Sequence, residues 1–108
     1  MTIEFQVIQW RDIPAQVKVR AGKKRKGQPL SKRFQAAISA AALRAGKTDS
    51  EEYMSEWHTS DWQEREGEPE EAIADLVAEI EAKYPKSRLQ ALVRQGGLED
   101  GPLLEKAV

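Results

Sequence analysis

The sequence predicts an α+β domain with two layers, an antiparallel sheet of about four strands in ββαββα order with helices packed on one face. Three observations lead to this fold class. Apolar and polar residues alternate in two segments near the start, two later segments carry apolar residues at helical spacing, and a chain of 108 residues can bury one modest core. We therefore expect a single domain over residues 1–95 and a flexible tail over residues 96–108.

Two strands are predicted at the start of the chain. Apolar side chains alternate with polar ones over residues 3–7 and again over residues 15–21. The run Asp-Ile-Pro at 12–14 is typical of a chain reversal, because Pro lacks a backbone donor and Asp bonds its own backbone. Ile8 and Trp10 fall on the opposite face from the predicted core. Either that face is partly covered, or a bulge near Ile8 changes the register.

A basic run follows the second strand, and a helix follows the run. Residues 22–29 hold four consecutive cations and no apolar residue, with Gly and Pro at their ends, which predicts a mobile surface loop. Ser31 then favours a helix N-cap, Phe34 and Ile38 lie on one side, and Gly46 ends the helix.

The segment from 50 to 67 is compatible with two structures. Tyr53 and Trp57 are four residues apart, as in a helix turn, but apolar and polar residues also alternate from 53 to 59. Trp57 and Trp62 stand symmetrically about the pair at 59–60, so we prefer a hairpin in which these two rings form a cross-strand pair. The alternative is a helix turn followed by a strand.

Two helices are predicted near the C-terminus. Pro69 suits a first helical position, and the apolar stripe that follows ends at Pro85. Ser87 is expected to cap a last short helix that ends at Gly96.

Charge divides the chain into two halves. Residues 1–48 hold eleven basic and two acidic residues, a net +9, whereas residues 49–108 hold six basic and sixteen acidic residues, a net −10. Such an asymmetry indicates either a basic face for an anionic partner or two halves that attract each other. The chain has no cysteine, which excludes disulfides and thiolate metal sites, and no long apolar segment. We expect a cytoplasmic protein with no membrane contact.

No residue carries a catalytic or metal-binding signature. His58 is the single histidine, and neighbouring Ser60 and Asp61 in a turn do not supply the arrangement that nucleophilic catalysis requires. The lysines between Gly22 and Gly27 lack the Lys-Ser/Thr ending of a phosphate loop. We therefore expect no catalytic residue, metal or cofactor and favour a non-enzymatic role. An enzyme whose site forms only in three dimensions stays open.

Several stretches carry a resemblance to a known family. They are QWRDIPAQV at 9–17, LSKRFQAAI at 30–38 and AALRAG at 41–46, with Tyr53, Trp57 and WQER at 62–65 following them. Over most of residues 3–85 the chain resembles the small bacterial family described only as virulence factor. Similar modules also form the end of the larger conserved virulence factor C proteins. The resemblance implies an interaction or accessory module, and it implies no reaction, cofactor or catalytic residue.

Two candidate binding sites follow. Trp10, Arg11 and Asp12 form a turn where small polar residues would suffice, so we expect them to bind a protein partner; the alternative is structural, with Arg11 and Asp12 paired and Trp10 capping the sheet. The second site is the basic run, Lys23, Lys24, Arg25 and Lys26. The first reading is thus a small accessory domain with an unidentified protein partner. The second is a module that binds nucleic acid or another polyanion through the basic run.

Overall fold

The structure is a computed structural model, and it describes residues 1–99. These residues form five strands and four helices. The strands are β1 (Thr2–Trp10), β2 (Ile13–Ala21), β3 (Lys24–Pro29), β4 (Trp57–Thr59) and β5 (Gln63–Glu66), and the helices are α1 (Lys32–Arg44), α2 (Ser50–Ser55), α3 (Pro69–Lys83) and α4 (Lys86–Arg94). All pairings are antiparallel, in the order β3, β2, β1, with β4 and β5 both on the far side of β1. The predicted α+β class is confirmed, with five strands rather than about four and with the element order βββααββαα instead of ββαββα.

The first two strands form as predicted, and their pairing contains a bulge whose extra residue, Ala15, lies in β2. The pairing of β1 with β2 shifts register between Ile8 and Gln9, which confirms the bulge near Ile8. Beyond the shift, Trp10 pairs with Ile13, and both side chains are fully buried. Trp10 therefore belongs to the buried core, although the simple alternation had placed it on the other face of β1.

The prediction of a mobile loop over residues 22–29 is wrong, because most of this segment is the edge strand β3. Gly22, at a φ of 61°, lies in the two-residue turn that joins β2 to β3. Every residue of β3 is exposed, so the strand carries no apolar alternation for sequence reasoning to detect. The strand forms because its backbone pairs with β2 from Gln16 to Ala21, and three cations on an unpaired edge also discourage pairing with other chains.

The preferred hairpin between residues 50 and 67 is wrong, and the alternative of a helix turn followed by a strand is confirmed. Asp49 caps α2 by accepting a hydrogen bond from the backbone N–H of Glu51. Strands β4 and β5 then lie one after the other along the same side of β1, so they do not pair with each other. Trp57 and Trp62 are consequently not cross-strand partners. Both β4 and β5 pair instead with the free edge of β1, which is distant in sequence.

Helix boundaries agree with the sequence in two cases and differ in one. Helix α1 has Ser31 at its N-cap position and is followed by Gly46 at a φ of 73°. Helix α3 begins at Pro69 and ends just before Pro85, as predicted. Helix α4 starts two residues earlier than expected, with Pro85 rather than Ser87 at the N-cap, because Pro fixes a φ that suits this position.

The core lies between one face of the sheet and the helices α1, α3 and α4. Its buried residues are Ile3, Trp10, Ile13, Val17, Val19, Leu30, Phe34, Ala37, Ile38, Ala41, Ala42, Ala72, Ile73, Leu76, Leu89 and Leu92. Helices α1 and α3 both contact β2, whereas α4 packs on α1. On the opposite face of β2, Lys18 is exposed and Gln16 and Arg20 are half-buried, so this part of the sheet is open to solvent. No helix within residues 1–99 is long and apolar enough to span a membrane.

The segment after α4 returns to the turn between β1 and β2. Gly96 and Gly97 are buried, and the backbone N–H of Asp12 donates to the carbonyl oxygen of Gly97 over 2.8 Å. The first four residues of the predicted tail, 96–99, thus contact the domain. The remainder of that prediction, residues 100–108, lies outside the described residues.

Candidate functional site

Trp10, Arg11 and Asp12, called the corner below, lie at the turn between β1 and β2. The Trp10 ring is fully buried and stacks on Tyr53, with ring centroids 5.9 Å apart. Its Nε1–H donates to the carbonyl oxygen of Tyr53 over 2.9 Å. The aromatic ring of the corner therefore faces α2 and the core, and it offers no surface to a partner in this conformation.

Arg11 joins the corner to two distant segments. Its φ of 51° lies in the left-handed region. Nη1 donates to the carbonyl oxygen of Gly96 over 3.0 Å, and Nε lies 3.3 Å from Oε1 of Glu56, an ion-pair distance without hydrogen-bond geometry. Arg11 thus pairs with Glu56 and not with Asp12, and only 11% of its side chain is exposed.

Asp12 and Gly97 complete the contact. Oδ2 of Asp12 accepts a hydrogen bond from the backbone N–H of Glu99 over 2.6 Å. Gly97 lies so close to Trp10 that a Cβ there would come within 2.9 Å of Cζ3. The corner thus holds the segment that leaves α4. A direct role of Trp10, Arg11 and Asp12 in partner binding stays a prediction, and their present contacts are structural.

The four cations of the basic run do not share one surface. Lys26 pairs with Val19 of β2, and its Nζ lies 3.2 Å from Oε1 of Glu70 on α3, so it lies on the helix side of the sheet together with Lys24. Arg25 pairs with Arg20 and lies on the opposite face. Lys23 lies in the turn. Binding of a polyanion by all four cations together stays a prediction.

A groove runs between α1 and α4, and we call it the α1/α4 groove. Its volume is about 490 Å³, and its lining residues are Arg33, Ala36, Ala37, Ala40, Arg44, Lys86, Leu89, Gln90, Val93 and Arg94. The floor is apolar and consists of small side chains on α1 and larger ones on α4. Cations line both of its sides. Arg33 is held in place by Oε1 of Glu81 and by the carbonyl oxygens of Glu81 and Tyr84.

A second concavity, which we call the open-face hollow, lies on the uncovered face of the sheet. Its volume is about 360 Å³, and its lining includes Gln6, Gln16, Lys18, Arg25, Gly27 and Trp62. The guanidinium carbon of Arg20 lies 3.8 Å from the centroid of the Trp62 ring. The hollow therefore combines cations, amides and one aromatic ring.

Three titratable groups illustrate the contacts that such groups make within the fold. His58 contacts the carbonyl oxygen of Arg11 through Nε2. A hydrogen bond and ion pair with Arg65 lowers the pKa of Glu79, and burial raises the pKa of Tyr84. Within residues 1–99 no group of three or more potential ligands could hold a metal ion.

Sequence reasoning missed both concavities. The α1/α4 groove depends on the packing of α4 against α1, which brings together residues that are distant in sequence. The signal that could have found the groove is the position of Ala36 and Ala40, which lie outside the side of the helix that carries Phe34 and Ile38. Trp62 was assigned to a pair with Trp57, which concealed its contact with Arg20.

Comparisons with known proteins give one result at the level of a family. A family model described as virulence factor matches residues 8–93, which include the corner, the basic run and most of α4. No curated protein and no solved structure matches the chain.

Proposed function

Since the chain belongs to the virulence factor family, whose description states no reaction, we propose that it is a small non-enzymatic accessory domain that binds an acidic, amphipathic segment of a protein partner. The binding surface is the α1/α4 groove. A cytoplasmic location is part of the proposal, since the sequence contains no cysteine and so needs no oxidising compartment.

The observation that carries the proposal is an apolar floor between two cationic sides. Ala36 and Ala40 are exposed on α1, and Val93 is half-buried on α4, so apolar surface faces solvent between the helices. Arg44 lies on one side and Lys86 on the other. Apolar surface with a charged rim is typical of sites that bind an amphipathic helix.

Charge and length define the partner segment. Cations on both sides of the floor favour carboxylates that flank an apolar stripe, and they disfavour a basic segment. The groove follows α1 from Arg33 to Arg44, about 16 Å at a rise of about 1.5 Å per residue, so it accommodates about three turns of a partner helix.

The corner supports this groove without touching the partner. Arg11 and Asp12 bind the backbone of residues 96–99, which directly follow α4. Because α4 forms one side of the groove, the corner fixes the groove's width. This explains how a buried tryptophan and a paired arginine serve a binding function.

The test uses a fluorescent helical peptide with Leu at i, i+3 and i+4 spacing and Glu on its remaining positions, measured by fluorescence anisotropy. Reversing both cations, Arg44→Glu with Lys86→Glu, should weaken binding at least about tenfold, which corresponds to about 1.4 kcal/mol. The matched control is Lys23→Glu with Lys24→Glu, which changes the net charge equally and lies away from the groove. It should alter binding by less than about twofold.

A third variant separates the floor from the sides. Ala40→Asn introduces a neutral amide into the apolar floor at an exposed helical position and changes no charge, so it should also weaken binding. Equal losses in the groove variant and in the Lys23/Lys24 control would mean that only net charge matters, and the groove would not be the site.

A further inference from the structure

The uncovered face of the sheet carries a concavity that the protein-binding proposal does not use. The open-face hollow lies over β2 and β3, on the opposite side of the sheet from α1 and α3. Strand alternation places Gln16, Lys18 and Arg20 on this face, because Val17 and Val19 between them are buried in the core. A polar, cationic sheet face is thus available next to the helical layer.

The hollow has an aromatic wall that is held in place. Trp62 is half-buried and stacks against the guanidinium of Arg20, whose Nε in turn lies 3.0 Å from Oε1 of Glu4. This chain of contacts fixes the plane of the Trp62 ring. An aromatic ring that is fixed beside cations can stack with a planar base.

Amide groups and cations surround that ring. Gln6 donates through Nε2 to the carbonyl oxygen of Ser60, which fixes the orientation of its amide. Nε2 of Gln16 lies over Gly27, where any Cβ would come within 2.8 Å of it. Gly27 has no positive φ, so the backbone does not require glycine here. A side chain at this position would instead occupy the space of the Gln16 amide. Lys18 and Arg25 lie at the same hollow and can contact phosphates.

We propose that the open-face hollow binds single-stranded nucleic acid, with one base against Trp62 and Gln16 and with backbone phosphates on Lys18 and Arg25. A single strand is the ligand because its bases are free to stack on a side chain, whereas those of a duplex are already stacked. The strand follows β2 and β3. Glu64 of β5 pairs with Glu4 on the other side of the hollow and repels phosphates from that direction.

The site differs from the one that the sequence predicted. Of the basic run, Arg25 contributes its charge to this face, whereas Lys24 and Lys26 lie on the helix side. Lys18, Arg20 and Trp62 take the place of these two lysines. The inference is independent of the proposed protein partner, because no side chain is shared between the hollow and the α1/α4 groove.

The experiment measures the anisotropy of fluorescein-labelled mixed-sequence DNA and RNA of about 12 nucleotides, a length within the usual range for one small domain. Salt is varied between about 50 and 200 mM. The variant Lys18→Ser with Arg25→Ser should lose at least about tenfold in affinity. Its salt slope should fall by about 1.4, because each phosphate contact to a single strand contributes about 0.7. Arg44→Ser with Lys86→Ser removes two cations from the other concavity and should bind like the wild type.

Two further variants test the stacking and the position. Trp62→Ala should weaken binding at least about threefold, whereas Trp62→Phe should retain it, since one stacked base is worth about 1–3 kcal/mol. Lys24→Ser removes a cation of the basic run that does not line the hollow and should leave affinity within about twofold. Lys26 is kept unchanged because it also lines the hollow. Circular dichroism of each variant identifies any that does not fold.

Three results would overturn the proposal. The first is that the wild type binds no single strand at the lowest salt. The second is that a duplex of the same length binds as tightly as the single strand. The third is that the Lys24 variant or the Arg44/Lys86 variant loses as much affinity as the Lys18/Arg25 variant. None of these results bears on the helical peptide, so failure here and failure of the proposed function are distinguishable.

Discussion

Gly97 determines how closely the chain can approach the corner after α4. Its φ is +90°, and an added Cβ would lie 2.9 Å from Cζ3 of Trp10 and 3.4 Å from Cβ of Arg11. Two independent properties of glycine are therefore used at one position, the left-handed backbone and the absence of a side chain. Gly46, at a φ of +73°, uses only the first, because a Cβ there meets nothing within 4 Å.

This pair of glycines gives a matched test by urea unfolding. Gly97→Ala should lower the free energy of unfolding by about 2–4 kcal/mol, because backbone strain and overpacking against a rigid indole add together. Gly46→Ala should lower it by about 1 kcal/mol, since only the backbone term applies. Equal losses in the two variants would show that the contact between Gly97 and Trp10 contributes nothing.

The sequence indicated that the corner matters and left its role open. A bulky aromatic residue beside two charges at a turn is unusual, and this local fact drew attention to Trp10, Arg11 and Asp12. Whether the ring faces solvent or core depends on Tyr53 and Gly97, which are distant in sequence. Periodicity and turn preferences act over a few residues, so they could not decide between recognition and packing.

At the scale of elements, the pair Arg65 and Glu79 joins β5 to α3. Both groups are partly exposed, with 30% and 46% of their side chains accessible. The hydrogen bond with Arg65, together with its positive charge, lowers the pKa of Glu79. The pair therefore stabilises the folded state when Glu79 is ionised, which ties the edge strand to the helical layer.

The lowered pKa predicts a direction for the pH dependence of stability. The contribution of Glu79 is fully present above the unfolded-state pKa of about 4.3 and is lost as the pH falls through the lower folded-state pKa. Glu79→Gln should reduce the free energy of unfolding at neutral pH, and the difference from wild type should shrink below about pH 4. Urea titrations across pH measure this. Glu71→Gln, in the first turn of the same helix, is the control, and a pH profile unchanged by Glu79→Gln would refute the assignment.

Elements with one buried face could be predicted from the sequence, and elements with none could not. Strands β1 and β2 and helices α1 and α3 each bury one side, so their apolar period is visible. Strand β3 is exposed throughout, so its sequence shows no apolar period and only a cluster of charges between glycines. For residues 50–67 the local pattern permitted both readings, and the free edge of β1 decided between them.

At the scale of the whole molecule, the opposite charges of the two halves partly meet. Three ion pairs between side chains of described residues join a cation of residues 1–48 to a carboxylate of the second half: Arg11 with Glu56, Lys26 with Glu70, and Arg33 with Glu81. Of the two explanations that the charge asymmetry allowed, attraction between the halves therefore applies to these residues. Apart from Arg33 and Lys26, the cations that line the groove and the hollow take no part in these three pairs.

Attraction between the halves predicts a dependence of stability on salt. Raising the sodium chloride concentration from about 0.05 to about 0.5 M should lower the free energy of unfolding by on the order of 1 kcal/mol, because salt screens partly exposed pairs. Urea unfolding at several salt concentrations measures the effect. The double variant Lys26→Gln with Glu70→Gln keeps the net charge and should respond less. A stability that is constant or that rises with salt would contradict this account.

The contact between the corner and residues 96–99 also has a consequence during synthesis on the ribosome. Arg11 obtains its partner at Gly96 only after 85 further residues have been added. At a translation rate of about 5–20 residues per second, this takes roughly 4 to 17 seconds. For that interval the indole of Trp10 lacks its glycine cover, so chaperones and proteases can reach a site that the finished chain conceals. A ribosome-bound chain that ends before Gly96 should therefore be cleaved near the corner far more readily than the completed chain.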